Sequence, residues 1–194
     1  MSDQSFTLDS VADATLAAEN AVLRAALADA QQRIQDLEQR ADSDGLTGLP
    51  NGRRFAAEVE RVAGEAKRHG TPAAVVSIDL LGFSALNARH GSLAGDAALV
   101  HVARLISGLI RTTDILARTG GDEFGLVLSH LDQNSAIETA ERLARCIAAE
   151  KVPFGNERIA LRAAVATTGV LPGDSPADVL TRAARNLAVA KADG

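Results

Sequence analysis

From Asp44 onward the chain reads as an α/β domain with a mixed or mainly antiparallel sheet, preceded by one long amphipathic helix. Three observations lead there. Segments of helical periodicity alternate with short apolar strand runs, the pattern of a sheet wrapped by helices. A tight hairpin, RTGGDEFGLVL at 118–128, interrupts that alternation, and a hairpin has no place in a purely parallel sheet. Between Leu16 and Ala41, apolar residues recur at alternating steps of four and three.

That recurrence is a heptad seam, with Asn20, Leu27, Ile34 and Ala41 in one core position and Leu16, Leu23, Ala30 and Leu37 in the other. So narrow a stripe on a polar helix is buried only against another helix. The expected partner is a second copy, the following domain being the alternative. Ile at the first position with Leu at the second favours a parallel pair, and the lone Asn20 fixes register and strand number. Residues 1–10 read as a disordered tail, 11–43 as the dimerisation helix and 44–194 as the folded domain. The glycines and proline of ADSDGLTGLPNG stop the first helix.

Beyond it the patterns predict a helix over 53–69, a strand over 73–79, a short helix around 83–89 and a helix over 93–110. The hairpin follows, pairing 115–118 with 123–128, and then a helix over 135–149, a strand near 159–170 and a last helix over 175–191. Gly120 and Gly121 suit the centre of a type I′ turn, which needs positive φ at both positions.

Composition narrows the chemistry. A hydrophobic fraction of 46% over 194 residues fills a real core. Aromatics at 3% and a net charge of -5 argue against a nucleic-acid binder, which needs stacking platforms and cationic surface. No apolar run approaches the roughly 20 residues that span a bilayer. The start MSDQSF lacks a basic region followed by an apolar one, and the single Cys146 rules out an internal disulfide, so a cytoplasmic location is expected.

The apolar strand AAVVSID ends on Asp79, a carboxylate that is costly to desolvate unless it meets water or a cation. If that strand neighbours the hairpin, Asp79 and Asp122 converge on one sheet edge. Two carboxylates and a backbone carbonyl, completed by substrate phosphates, would hold Mg²⁺ or Mn²⁺. An isolated Asp at a strand end also serves as a helix cap.

Residues 44–194 resemble the GGDEF domain, the catalytic module of diguanylate cyclases. The resemblance rests on DGLTGLPNGRRF at 44–55, SIDLLGFSALNARHGSLAGD at 77–96, RTTDILARTGGDEF at 111–124 and a terminal LAVAKADG, in that order. It implies a palm-like nucleotide cyclase fold and condensation of two GTP into cyclic di-GMP across a homodimer joined by the coiled coil. Asp79, Asp122 and the carbonyl of Leu80 would be metal ligands. Glu123 would bind a second metal or take the proton of the attacking ribose hydroxyl. Asn87 and Asp96 would read the guanine edge, backbone amides near Gly82 and Phe83 would cradle phosphates that Lys191 contacts, and Gly120 and Gly121 would let the backbone approach the nucleotide. Arg111 and Asp114 form an RxxD pair resembling the family's inhibitory product site, with Arg142 placed to complete such a site from a neighbouring domain.

The family pattern is broken in several places: Ser84 stands where a phosphate-binding lysine is common, Leu81 where a second acid often follows, Ala88 where Asp usually stands, Ser92 where His is usual, and Gly52 where an arginine is. The chain stops at Gly194, before a terminal arginine that usually touches phosphate. The resemblance therefore implies a product-inhibited cyclase, or alternatively a degenerate module that binds cyclic di-GMP at Arg111 and Asp114 and signals through its coiled coil. A regulatory protein gripping the coiled coil is a further expectation.

Overall fold

The computed structural model describes residues 19–33 and 41–193, in two compact units that divide between Ala41 and Asp42. In the first unit residues 19–33 form one continuous helix, α1, with an ion pair between Asp29 and Arg33 one turn apart at 3.0 Å. Two seam residues, Leu23 and Leu27, are 64% and 58% exposed in the single chain. Leu16, Ile34, Leu37 and the expected tail at 1–10 lie outside the described residues.

The second unit runs α2 (Gly52–His69), β1 (Ala73–Leu81), α3 (Phe83–His90), α4 (Ser92–Ser107), β2 (Ile115–Gly120), β3 (Glu123–Ser129), α5 (Gln133–Ala149), β4 (Lys151–Phe154), β5 (Glu157–Ala160), β6 (Arg162–Val170) and α6 (Pro176–Ala192). Four strands make the main sheet in the order β2-β3-β1-β6, and every pairing in it is antiparallel.

β1 lies between two strands and under helices on both faces, which explains why only Ser77 and Asp79 interrupt its apolar sequence. Ala74, Val76, Ile78 and Leu80 join Leu99 and Val102 of α4 and Leu143 and Ile147 of α5 in one core layer. The alternate residues Ala73 and Val75 join Val59 and Val62 of α2 and Val179 and Ala183 of α6 in the other. By the same alternation Asp79 falls on the α2/α6 face, at the far end of the strand.

α6 starts on a capping box in which Ser175 and Asp178 exchange hydrogen bonds, with Pro176 in the first turn. Its buried stripe is Val179, Ala183 and Leu187. The helix is pinned by Arg182, which donates to both oxygens of Asp174 at 3.1 and 2.5 Å and to the Gly169 carbonyl at 2.7 Å.

Three local expectations need correction. The helix expected to reach residue 110 ends at Ser107 with its cap on Gly108. The strand expected near 159–170 is two strands, β5 and β6, and β5 forms a separate hairpin with β4. Pro153 removes a ladder donor and weakens the strand signal of β4, which hid that hairpin. The Gly-Gly turn is not type I′: Gly120 pairs with Glu123, the two central residues are Gly121 and Asp122, and of these only Gly121 has positive φ, at 39°. A single positive φ at the first central residue is the sign pattern of a II′ turn.

Asp174 is held below the ordinary aspartate range, first by the hydrogen bond from Arg182 and, against the pull of burial, by the Leu171 amide. Replacing Arg182 with Met should lower the unfolding free energy in urea melts by about 1–3 kcal/mol at pH 7. Because the folded pKa lies below the unfolded one, this contribution is complete above the unfolded value near 3.8 and fades as pH falls through the folded value, so the wild type and variant should converge in acid.

Candidate active site

Asp79 is 4% exposed, and burying a carboxylate this deeply is costly without a compensating partner. The compensation comes from α6. Stepping by four along the buried stripe from Val179 through Ala183 and Leu187 reaches Lys191, so the lysine extends from the helix face that covers the sheet. Its Nζ lies 2.6 Å from Asp79 Oδ2. The hydrogen bond to Asp79 holds the Lys191 ammonium above the ordinary lysine range despite desolvation, and the charges of Glu123 and Asp122 push the same way.

Strand register supplies the other two acids. Asp79 stands opposite Glu123, so the two side chains share a face, and the Leu80 amide donates to the Asp122 carbonyl at 3.2 Å. The strand end that carries Asp79 therefore lies beside the hairpin turn that carries Asp122, which is half-buried, and Glu123, which is exposed.

Sequence reasoning overlooked two residues that support the hairpin. Arg118 donates to the Gly121 carbonyl at 2.9 and 2.7 Å and to Asp44 at 3.3 and 3.1 Å, bracing the turn against the loop ahead of α2. Burial pushes the Asp44 carboxyl up, but hydrogen bonds from Thr47 and Arg118 outweigh it and hold the group below its ordinary range. Their signal in the sequence was their position inside two of the quoted motifs. The Pro50 carbonyl accepts from the Arg118 amide at 2.9 Å, covering part of the β2 edge.

Gly82 and Phe83 follow β1 directly, at the start of α3. Two residues of the expected guanine reader set lie on α3 and α4. The Asn87 amide oxygen is shielded from solvent and has no hydrogen-bond partner among the described residues. It sits where a Cβ on Gly95 would stand, 2.0 Å from that position, with the Phe83 ring 3.0 Å away. Only a glycine at 95 leaves room for the amide. Asp96, the next residue, is exposed.

Arg111 and Asp114 are elsewhere, in the loop between α4 and β2. Asp114 accepts from the backbone N–H of Arg111 at 3.0 Å, which leaves the Arg111 guanidinium without a protein partner among the described residues. Both line a cavity of about 410 Å³ with Ser135, Glu138, Thr139 and Arg142. The Arg142 of the same chain thus faces that cavity, and it also donates to the Leu109 carbonyl at 3.2 Å. A second groove, about 600 Å³ and lined by Gly82, Arg89, His90, Glu157 and Arg158 among others, includes none of Asp79, Asn87, Asp96 or Asp122.

Among the described residues no three His, Cys, Asp or Glu side chains form a ready-made metal cage. Mg²⁺ is usually held by one or two carboxylates, with the remaining positions filled from outside the protein. A carboxylate as buried as Asp79, already matched by a cation at 2.6 Å, is a donor of the right hardness and charge. No helix among the described residues is long and apolar enough to cross a membrane.

The domain is thus an α+β fold in which an antiparallel sheet is flanked by helices and acids from a central strand and an adjacent hairpin lie at one end. The family model for the diguanylate cyclase GGDEF domain matches residues 41–194, and the chain belongs to that family. Residues 1–40 stand outside the match. Among relatives, diguanylate cyclase TpbB of Pseudomonas aeruginosa is 41% identical over 52% of this chain and 24% of its own length. The bifunctional diguanylate cyclase/cyclic di-GMP phosphodiesterase MucR from the same species is 34% identical over 85% of this chain and 23% of its own. The chain thus spans about a quarter of these relatives. A crystal structure of the coiled coil and GGDEF domain of DgcB from Caulobacter crescentus, in complex with c-di-GMP, shares the fold at a TM-score of 0.83, with 24% identity over 92% of this chain and 95% of that one. That of diguanylate cyclase SiaD from Pseudomonas aeruginosa, in complex with its activator SiaC, aligns at a TM-score of 0.77, with 28% identity over 99% of this chain and 75% of that one.

Gly95→Ala places a methyl on the Asn87 amide and should expel it from its seat. We expect the Asn87 side-chain NH₂ resonances to shift in ¹⁵N-correlation spectra while the helical circular dichroism is kept, at a stability cost of about 1–3 kcal/mol.

Proposed function

We propose that the chain is a diguanylate cyclase that condenses two GTP into cyclic di-GMP and two pyrophosphates, with one GTP on each protomer of a homodimer. The observation that supports this most is the convergence of Asp79 with the hairpin acids Asp122 and Glu123 beside Lys191. In this reading Asp79, Asp122, the Leu80 carbonyl and Glu123 hold Mg²⁺ or Mn²⁺. A divalent ion there would offset the charge that builds on the α-phosphate and the departing pyrophosphate.

The protein's own residues do the rest. Asn87 and Asp96 select guanine: an amide oxygen lacking a partner and a neighbouring carboxylate both accept from the base's N–H groups. The amides around Gly82 and Phe83 receive phosphate oxygens at the start of α3. Glu123, exposed at the turn, takes the proton as the ribose 3′-oxygen attacks the α-phosphate of the facing GTP or helps with a second metal. The exposed Leu23 and Leu27 of α1 give a second copy a seam to pack on, and pairing raises the effective concentration of one domain for the other.

Product returns to the cavity between Arg111, Asp114 and Arg142. The unpaired Arg111 guanidinium suits bidentate phosphate contact. The same observation favours a second reading, in which the module binds cyclic di-GMP there without making it, because Ser84, Leu81, Ala88 and Ser92 depart from the usual pattern of the triphosphate pocket. A regulatory protein partner also fits this reading, since SiaD forms a complex with its activator SiaC.

Incubation of the chain with GTP and Mg²⁺ should yield cyclic di-GMP by chromatography, and Asp79→Asn or Asp122→Asn should cut the rate at least ~100-fold. No product from the wild type, together with cyclic di-GMP binding that Arg111→Ala abolishes, would establish the receptor instead. If the enzyme is product-inhibited, Arg111→Ala should raise the half-inhibitory product concentration by roughly tenfold or more, with the initial rate retained.

A further inference from the structure

We propose that Lys191 is a stand-in cation for the metal site: it occupies Asp79 when no nucleotide is bound and gives up that carboxylate only when a triphosphate offers it other anions. The inference rests on the reading above that Asp79 is a metal ligand. Three observations point to it. The Lys191 ammonium is at hydrogen-bond distance, 2.6 Å, from Asp79 Oδ2, and Asp79 is the buried acid of the site, Asp122 being half-buried and Glu123 exposed. A Mg²⁺ or Mn²⁺ bound to the same oxygen would stand about 2.1 Å from it, so ammonium and ion could be no more than about 5 Å apart with one carboxylate between them. The two cations therefore compete.

Lys191 is also built to leave. Its side chain is 43% exposed against 5% for Asp79, so the lysine has somewhere to go and the carboxylate does not. The backbone of α6 is fixed by Arg182 on Asp174 and Gly169, which leaves the movement to the flexible four-carbon stem. Swinging outward takes the ammonium to the mouth of the site, where phosphate oxygens would replace the carboxylate. Metal and nucleotide then bind cooperatively, each supplying what the other displaces: the metal takes Asp79 and the triphosphate takes Lys191. The buried carboxylate is never left unpaired.

The test is metal binding rather than turnover. Mn²⁺ is titrated into the full chain and read as loss of the free-ion electron paramagnetic resonance signal, with and without a non-hydrolysable GTP analogue. Wild type should bind Mn²⁺ weakly alone and at least ~10-fold more tightly with the analogue, beyond what the analogue's own Mn²⁺ affinity accounts for. Lys191→Met should bind Mn²⁺ alone at least ~10-fold more tightly than wild type, and its melting temperature should rise with Mn²⁺ more than that of wild type does. Lys191→Gln keeps a donor to Asp79 without the charge and should behave alike, so poor folding of the Met variant does not spare the proposal. Adding Asp79→Asn should erase the gain in either background.

Unchanged Mn²⁺ affinity in a folded Lys191 variant would overturn the proposal, and so would a gain that survives Asp79→Asn. The outcomes are independent of catalysis. Tighter Mn²⁺ binding in a chain that forms no cyclic di-GMP would sink the cyclase reading alone, whereas product formation with unchanged Mn²⁺ affinity would sink only this inference.

Discussion

A carboxylate buried at the end of a central strand has to meet a cation, and the organisation of this domain follows from how that need is met. Asp79 is held in place by β3 on one side and β6 on the other, so it cannot turn to water. The cation arrives from a residue 112 positions away in the chain. That contact adds a charged link between the first strand of the sheet and the last helix, whose apolar stripe already packs on it through Val179 and Ala183. Uncompensated, the buried charge would cost several kcal/mol.

The rest of the site is arranged around that strand end. The hairpin contributes its acids through register, and the register is secured at the turn by Arg118, whose guanidinium spans from the Gly121 carbonyl to Asp44. Asp44 in turn fixes the loop ahead of α2 through Thr47. A substrate on this edge would therefore rest on a turn braced from behind, the kind of rigid support that electrostatic catalysis needs. Asn87, on α3, is seated differently: its amide is packed into the space a missing side chain leaves at Gly95, and its oxygen has no hydrogen-bond partner among the described residues.

The RxxD cavity is separate from this edge but connected to it by one strand. Asp114 immediately precedes β2 and Gly120 ends it. At the near end the aspartate is engaged with backbone, leaving Arg111 available, and at the far end the strand delivers the turn with Gly121 and Asp122. Both locations draw on the same short element, so motifs only a few residues apart in sequence stand at its opposite ends.

Most elements were legible because their periodicity was unambiguous: β1 as an apolar run, α2, α5 and α6 as amphipathic stripes, the hairpin from its glycines. β4 was not, since Pro153 suppresses the strand pattern of a segment whose pairing is purely local. The turn type was misread for a related reason. Two glycines permit positive φ at both positions, but the pairing of Gly120 with Glu123 and the bulge between Arg118 and Gly120 shift the turn by one residue. Residue types determined which side chains could ligate a cation or exchange hydrogen bonds with a ligand, because charge and donor count are properties of the residue, and the family resemblance singled out Asn87, Asp96 and Lys191 among them. Which of them meet was decided only in three dimensions. That Lys191 lies on Asp79, that Arg118 braces the hairpin through Asp44 and that Gly95 makes room for Asn87 all depend on helix phase and strand register across separate elements, and neither is fixed by a residue's neighbours in the chain.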